Sequence, residues 1–110
     1  MIKNIENDDI NSLQNEFDNS QGKIILLDFW ASWCSPCKTL DSTLKLLDGE
    51  MGDRIDILKI NADENVNLTN KYSVRNLPTL VVVREGEEVS RQIGALPLSK
   101  LIDKLSGFVK

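Results

Sequence analysis

The sequence contains no histidine. That absence removes Cys-His and Ser-His hydrolases, histidine-ligated zinc and any imidazole acid–base chemistry. Proton transfer, where it occurs, falls to carboxylates, lysines, thiols or water. Cysteine is nearly as scarce: the chain has two, at positions 34 and 37. Long apolar runs are missing too. The longest, "IILLDFWA" (24–31), is far short of the roughly 20 residues a membrane-crossing helix needs. The polar start "MIKNIENDDI" has no apolar segment of the kind a secretory signal carries, which predicts a cytoplasmic protein. Clustered basic residues are absent as well. Thirteen Lys and Arg are scattered among 17 Asp and Glu, for a net charge of −4, which argues against nucleic acid or an anionic membrane as partner. There is no repeat, low-complexity tract or linker, and 110 residues suit a single domain spanning 1–110.

What is present alternates between apolar runs and helical periodicity. A short strand is predicted over 2–5. A helix follows over 7–20, with Ile10, Leu13 and Phe17 as its stripe and Asp8 or Asp9 as N-cap. The run 23–31 reads as a central buried strand. Residues 34–51 read as a helix, with Cys37, Leu40, Leu44 and Leu47 on one face and Gly49 as its stop. A strand over 54–63, a short helix over 65–73 and a hairpin over 78–94 turning at Glu85-Gly86 come next. An amphipathic helix over 96–110 ends the chain, with Pro97 in its first turn. Strands separated by helices imply parallel crossovers, and the hairpin adds antiparallel strands. The fold class is α/β, a mixed central sheet with helices on both faces.

The chemistry concentrates in "WASWCSPCK" (30–38). Residues i and i+3 share a helix face, so Cys34 at the N-cap and Cys37 at N3 can bring their sulfurs together. The N-terminal N–H groups and helix dipole favour a thiolate at Cys34, and Pro36 falls where a missing N–H is harmless. Thiolate is the attacking species in disulfide exchange, so Cys34 reads as nucleophile and Cys37 as the resolving thiol. Two other readings stand beside this one. The pair could be small buried residues with no redox role. Two copies of the chain could also share a metal cluster, since one chain offers too few ligands for zinc.

The segment "LLDFWASWCSPCK" resembles the active-site segment of the thioredoxin family, whose usual core is W-C-G-P-C-K. Downstream, "RNLPTL" is similar to that family's cis-proline loop, and "REGEEV" and "QIGAL" to its final hairpin. The resemblance implies a thioredoxin-like fold, with about five strands flanked by about four helices. It implies a protein-disulfide reductase that needs no cofactor beyond the Cys34–Cys37 disulfide. Its substrates would be disulfide-containing proteins, its electron donor thioredoxin reductase, and it would act as a monomer.

Residue by residue, the resemblance makes Cys34 the exposed nucleophile and Cys37 the buried resolving cysteine. Asp28 becomes the buried proton-transfer carboxylate, its pKa raised by burial, and Lys59 the lysine that tunes it. Pro78 becomes the cis-proline, with Leu77 offering backbone groups to an extended substrate. Trp33, Asn76, Leu77, Pro78, Gly94 and Ala95 form a docking rim, Trp30 lies in the core, and Asp63 accepts from the Trp33 indole. Three positions depart from the pattern. Ser35 replaces a glycine, Ser42 replaces a proline that kinks the active-site helix, and Asn76 replaces a glycine at the rim. A binding or chaperone-like module with dispensable cysteines is the alternative, and an oxidase or isomerase of an oxidising compartment a third reading.

Overall fold

The computed structural model describes residues 1–109. Five strands, Ile2–Ile5 (β1), Ile24–Trp30 (β2), Ile55–Asn61 (β3), Thr79–Arg84 (β4) and Glu87–Ile93 (β5), form one sheet in the order β1-β3-β2-β4-β5. Four helices, Ile10–Asp18 (α1), Ser35–Met51 (α2), Val66–Lys71 (α3) and Leu98–Ser106 (α4), cover it. The mixed sheet with helices on both faces is therefore the observed architecture. Lys110, the last residue of the expected final helix, lies outside the described residues.

The apolar run of β2 is continuous because both its faces are covered, so alternate side chains enter different cores. Ile24 and Leu26 join Ile55 and Ile57 of β3, Leu80 and Val82 of β4, and the inner faces of α2 and α4. Ile25, Leu27 and Phe29 join Leu58, Ile60, Val81 and Val83 beneath α1 and α3. The uneven alternation in 54–63 has the same origin: Ile55 and Ile57 serve one core, Leu58 and Ile60 the other. Parity then places two charged residues. Asp28 follows Ile24 and Leu26, and Lys59 follows Ile55 and Ile57, so both fall on the α2 face. They are register partners on adjacent parallel strands.

One expected crossover is corrected. β1, β3 and β2 run parallel, but β4 is antiparallel to β2 although α3 separates it from β3. β4 starts where β3 ends: Thr79 pairs with Phe29, whose parallel partner is Ile60, so the connection over 62–78 leaves and re-enters the sheet at the same end. This reversal sets up the site. The ends of β2 and β3, the start of β4 and the end of β5 meet at one edge, with Trp30 opposite Asn61, Phe29 opposite Thr79 and Thr79 opposite Ile93.

Helix boundaries show smaller corrections. Gly49 does not stop α2, which continues to Met51 because Leu47 and Met51 still have core to fill; Gly52 is the cap, packed so closely on the Asp48 carbonyl that no Cβ fits. The helix is unbroken through Ser42. Pro97 precedes α4 as its N-cap, and its carbonyl accepts from the Lys100 and Leu101 N–H groups. Ile10 is exposed rather than part of the buried stripe of α1. Asp9 caps α1, its carboxylate accepting from the Asn11 N–H at 3.0 Å. Asp8 serves another helix: its carboxylate accepts from Asn67 at 3.1 Å and Leu68 at 2.9 Å, filling the orphan donors of α3. The hairpin turn at Glu85-Gly86 holds both residues at positive φ, 54° and 81°, as a two-residue connection requires.

Candidate active site

The cysteine pair stands where the chain leaves β2 and enters α2. Cys34 is the N-cap in extended conformation, Ser35 the first helical residue, and Pro36 lies within the first turn. Cys34 Sγ accepts from the Cys37 N–H at 3.2 Å. The two cysteines are joined in a disulfide with Cα atoms 5.3 Å apart. This bond engages both sulfurs and sets aside the inert-pair reading. A sulfur that accepts a helix N–H is held where the dipole favours a thiolate once the bond is broken.

The expected contrast between an exposed Cys34 and a buried Cys37 is not seen. The two are 4% and 5% exposed. In the oxidised pair the Cys34 sulfur turns inward to its partner and the capping N–H, and Ala31 clusters with the two cysteines while Trp30 and Leu77 pack against that cluster.

Beneath them lies Asp28, 2% exposed, whose Oδ1 has no hydrogen-bond partner among the described residues. Burial in this apolar strand pushes its carboxyl up to about 7; the Lys59 charge draws it down and the Asp41 charge pushes it up. A cavity of about 370 Å³ is lined by Asp28, Trp30, Cys37, Asp41 and Lys59 among others. It is large and polar enough to take water between the Asp28 carboxyl and the Cys37 sulfur.

Lys59 faces Asp28 as expected, but its ammonium is bonded to the Asp41 carboxylate and lies 5.0 Å from the centre of the Trp30 ring. Asp41 was missed by sequence reasoning. Its signal is the i+4 spacing from Cys37, which puts both on one face of α2. The Lys59 bond holds the Asp41 carboxyl below its ordinary range. Trp30, expected in the core, is half-buried along this cavity.

The rim assembles from the loops at the same edge. The Leu77-Pro78 peptide is cis. Leu77 packs on the cysteines, and its backbone N–H and C=O have no hydrogen-bond partner among the described residues. The flanking groups are engaged: Pro78 C=O accepts from the Gly94 N–H at 2.8 Å, and Asn76 C=O accepts from the Thr79 hydroxyl at 2.6 Å. Gly94 sits at φ 89°, the left-handed region that suits glycine. Pro78 is buried, Gly94 half-buried, and Asn76 and Ala95 exposed. Trp33 is 69% exposed, yet its indole N–H donates to Asp63 Oδ2 at 2.9 Å, which fixes the ring. Ile93, 58% exposed, extends the apolar surface beside Gly94. The sequence hid it, because an isoleucine ending a strand reads as core. The Ser35 hydroxyl, exposed in this oxidised state, makes no hydrogen bond among the described residues.

Comparison with known proteins gives the same picture over nearly the whole chain. Residues 6–107 match the thioredoxin family model. The chain is 44% identical over 90 residues to a thioredoxin of Bacillus subtilis, covering 79% of this chain and 86% of that one. It is 39% identical over 94 residues to thioredoxin 2 of Chlorobaculum tepidum, covering 86% and 85%. Among solved structures, a thioredoxin from Nicotiana alata superposes with a TM-score of 0.86 at 28% identity, covering 99% of this chain and 93% of that one. The germline-specific thioredoxin Deadhead of Drosophila melanogaster does so at 0.83 and 32%, covering 96% and 99%. With a disulfide-linked C-x-x-C pair capping α2 and a cis-proline loop packed against it, the chain belongs to the thioredoxin family of thiol–disulfide oxidoreductases.

Proposed function

We propose that the protein reduces disulfides of other proteins, with Cys34 attacking and Cys37 resolving. Thiol–disulfide exchange is the chemistry of the family. The order of events follows from the cap: the Cys34 sulfur accepts the Cys37 N–H, and that one bond favours its thiolate.

The Cys34 thiolate attacks one sulfur of the target disulfide, and the other leaves as a thiolate that takes a proton from water. Cys37 then passes its thiol proton to the Asp28 carboxylate, across the cavity or through a water in it. The Cys37 sulfur attacks Cys34, the target's second sulfur departs, and the Cys34–Cys37 disulfide forms. Two electrons have passed to the target. A carboxyl with pKa about 7 suits a group that must both take and return a proton near neutrality. The exposed rim would receive an extended target segment, the open backbone groups of Leu77 pairing with it as a short added strand.

This cycle uses no cofactor beyond the cysteine pair. A thioredoxin reductase would restore the dithiol, making the protein an electron carrier, and the cytoplasm, with its reducing pools, is its proposed location. Among the described residues no helix is long and apolar enough to cross a membrane. The test is reduction of insulin with dithiothreitol as electron source. Precipitation of the insulin chains well ahead of dithiothreitol alone is expected; no acceleration would refute the reductase reading and favour a binding module.

Ser35 enters at the reduced stage. Ser35 directly follows the Cys34 N-cap as the first helical residue, and its hydroxyl would turn toward a Cys34 thiolate. Donation to that thiolate would stabilise the reduced form and make the protein a slightly weaker reductant than a Gly-Pro version. One such hydrogen bond contributes about 0.5–1.5 kcal/mol, or roughly 10–30 mV for a two-electron couple. Ser35→Gly is therefore expected to lower the potential by that amount in a glutathione equilibration; an unchanged or higher value would show that the hydroxyl plays no such part.

A further inference from the structure

The lysine opposite Asp28 is held by other groups. Lys59 makes no ion pair with Asp28; its ammonium is docked between the Asp41 carboxylate and the face of the Trp30 ring, 5.0 Å from the ring centre. Asp41 stands one turn beyond Cys37 on α2, its second oxygen 3.5 Å from Lys45. Asp28, Cys37, Asp41 and Lys59 share one cavity. The charged groups around Asp28 are few. Lys59 comes from β3, Asp41 and Lys38 come from α2, the register partner on β4 is the apolar Leu80, and Cys37 adds a thiol when reduced.

We infer that Asp41 is a positioning residue: it keeps the Lys59 ammonium off Asp28, so that the Asp28 carboxylate stays basic enough to take the proton of Cys37. This rests on the reading of Asp28 as the proton carrier. Without Asp41, the flexible lysine stem is free to turn toward the unpartnered Asp28 oxygen, and a nearby negative charge is lost as well. Both changes favour the ionised carboxylate. The direction matches the electrostatics of the intact site, where Lys59 draws the Asp28 carboxyl down and Asp41 pushes it up. Asp41 touches neither sulfur; it acts through Lys59. An ion pair kept merely for stability would not set the pH at which Cys37 gives up its proton.

The experiment uses reduced protein and 5,5′-dithiobis(2-nitrobenzoate) between pH 5 and 9. One coloured thiolate is released when Cys34 attacks and a second when Cys37 resolves, so the second phase reads the resolving step. In the wild type that phase should inflect near pH 7, following Asp28. Asp28→Asn should lose this inflection; retention would overturn the proton-carrier reading itself. Asp41→Asn should move it down by about one pH unit, the effect of one neighbouring charge. Asp41→Glu, which keeps the carboxylate, should restore it. Lys59→Gln should move it upward. If Asp28→Asn removes the inflection while Asp41→Asn leaves it at the wild-type pH, the carrier stands and the role of Asp41 is overturned. Carbon-13 titration of the Asp28 carboxyl in the oxidised variants reads the same midpoint without turnover, and an unmoved midpoint in Asp41→Asn would likewise contradict the inference.

Discussion

Replacing Cys34 with serine should abolish insulin reduction, while replacing Cys37 should leave attack intact and halt the cycle at a covalent intermediate. The reason is positional. Cys34 caps α2 and its sulfur receives the Cys37 N–H, so the favoured thiolate is at 34. A serine hydroxyl there has neither the low pKa nor the nucleophilicity of a thiol, and turnover should fall to the rate of dithiothreitol alone. Cys37→Ser retains the backbone N–H that stabilises the Cys34 thiolate. It lacks only the sulfur that breaks the mixed disulfide, so bound target should accumulate. Non-reducing electrophoresis of the variant with insulin, followed by mass spectrometry of the adduct, checks this. Adducts trapped by Cys34→Ser in place of Cys37→Ser would reverse the assigned order.

Asp28→Asn should raise stability at pH 8 by about 2–4 kcal/mol while impairing the resolving step. The folded carboxyl holds its proton to about pH 7, whereas its ordinary value is 3.8. Between those values the native state binds more protons than the unfolded state, so stability falls as pH rises through the window. The loss is absent below pH 3.8 and complete above about 7. The gap between the two values corresponds to about 4 kcal/mol at 1.36 kcal/mol per pH unit, less whatever the buried amide leaves unsatisfied. Urea unfolding of the oxidised protein at pH 4, 6 and 8 should show wild-type stability declining over that range and the variant's changing less. A variant no more stable than wild type at pH 8 would mean that the carboxylate is not buried as described. A buried group that weakens the fold at working pH is a mark of function in place of packing.

Much of this was legible in the chain, and what was hidden has physical causes. The strands and helices announced themselves through apolar runs and helical period, and the family resemblance singled out Asp28 as the buried carboxylate; that it falls on the α2 side came only with the structure. Cys34 and Pro36 marked the start of that helix. The direction of β4 was less visible, since a helix between two strands leaves open whether the chain crosses the sheet or re-enters it at the same end. Gly49 looked like a stop because sequence does not show how far the core extends beneath Leu47 and Met51. Asp8 and Asp9 both looked like caps for α1; one of them serves α3, nearly sixty residues away. Asp41 was the largest omission. On its own helix it is one more acid among the charged residues of α2, and its meaning appears only when β3 delivers Lys59 to it. Ile93 stayed hidden for the same reason: only the fold shows that its strand ends at the exposed rim.

The account stands on the claim that Cys34 and Cys37 cycle as a reducing couple. Equilibration of the pair with glutathione tests it most directly, read by alkylation and mass spectrometry. A potential near the roughly −270 mV typical of thioredoxins, a little less negative if Ser35 acts as described, is the expected result. A value near about −120 mV, that of a strong periplasmic oxidant, would contradict the reductase assignment.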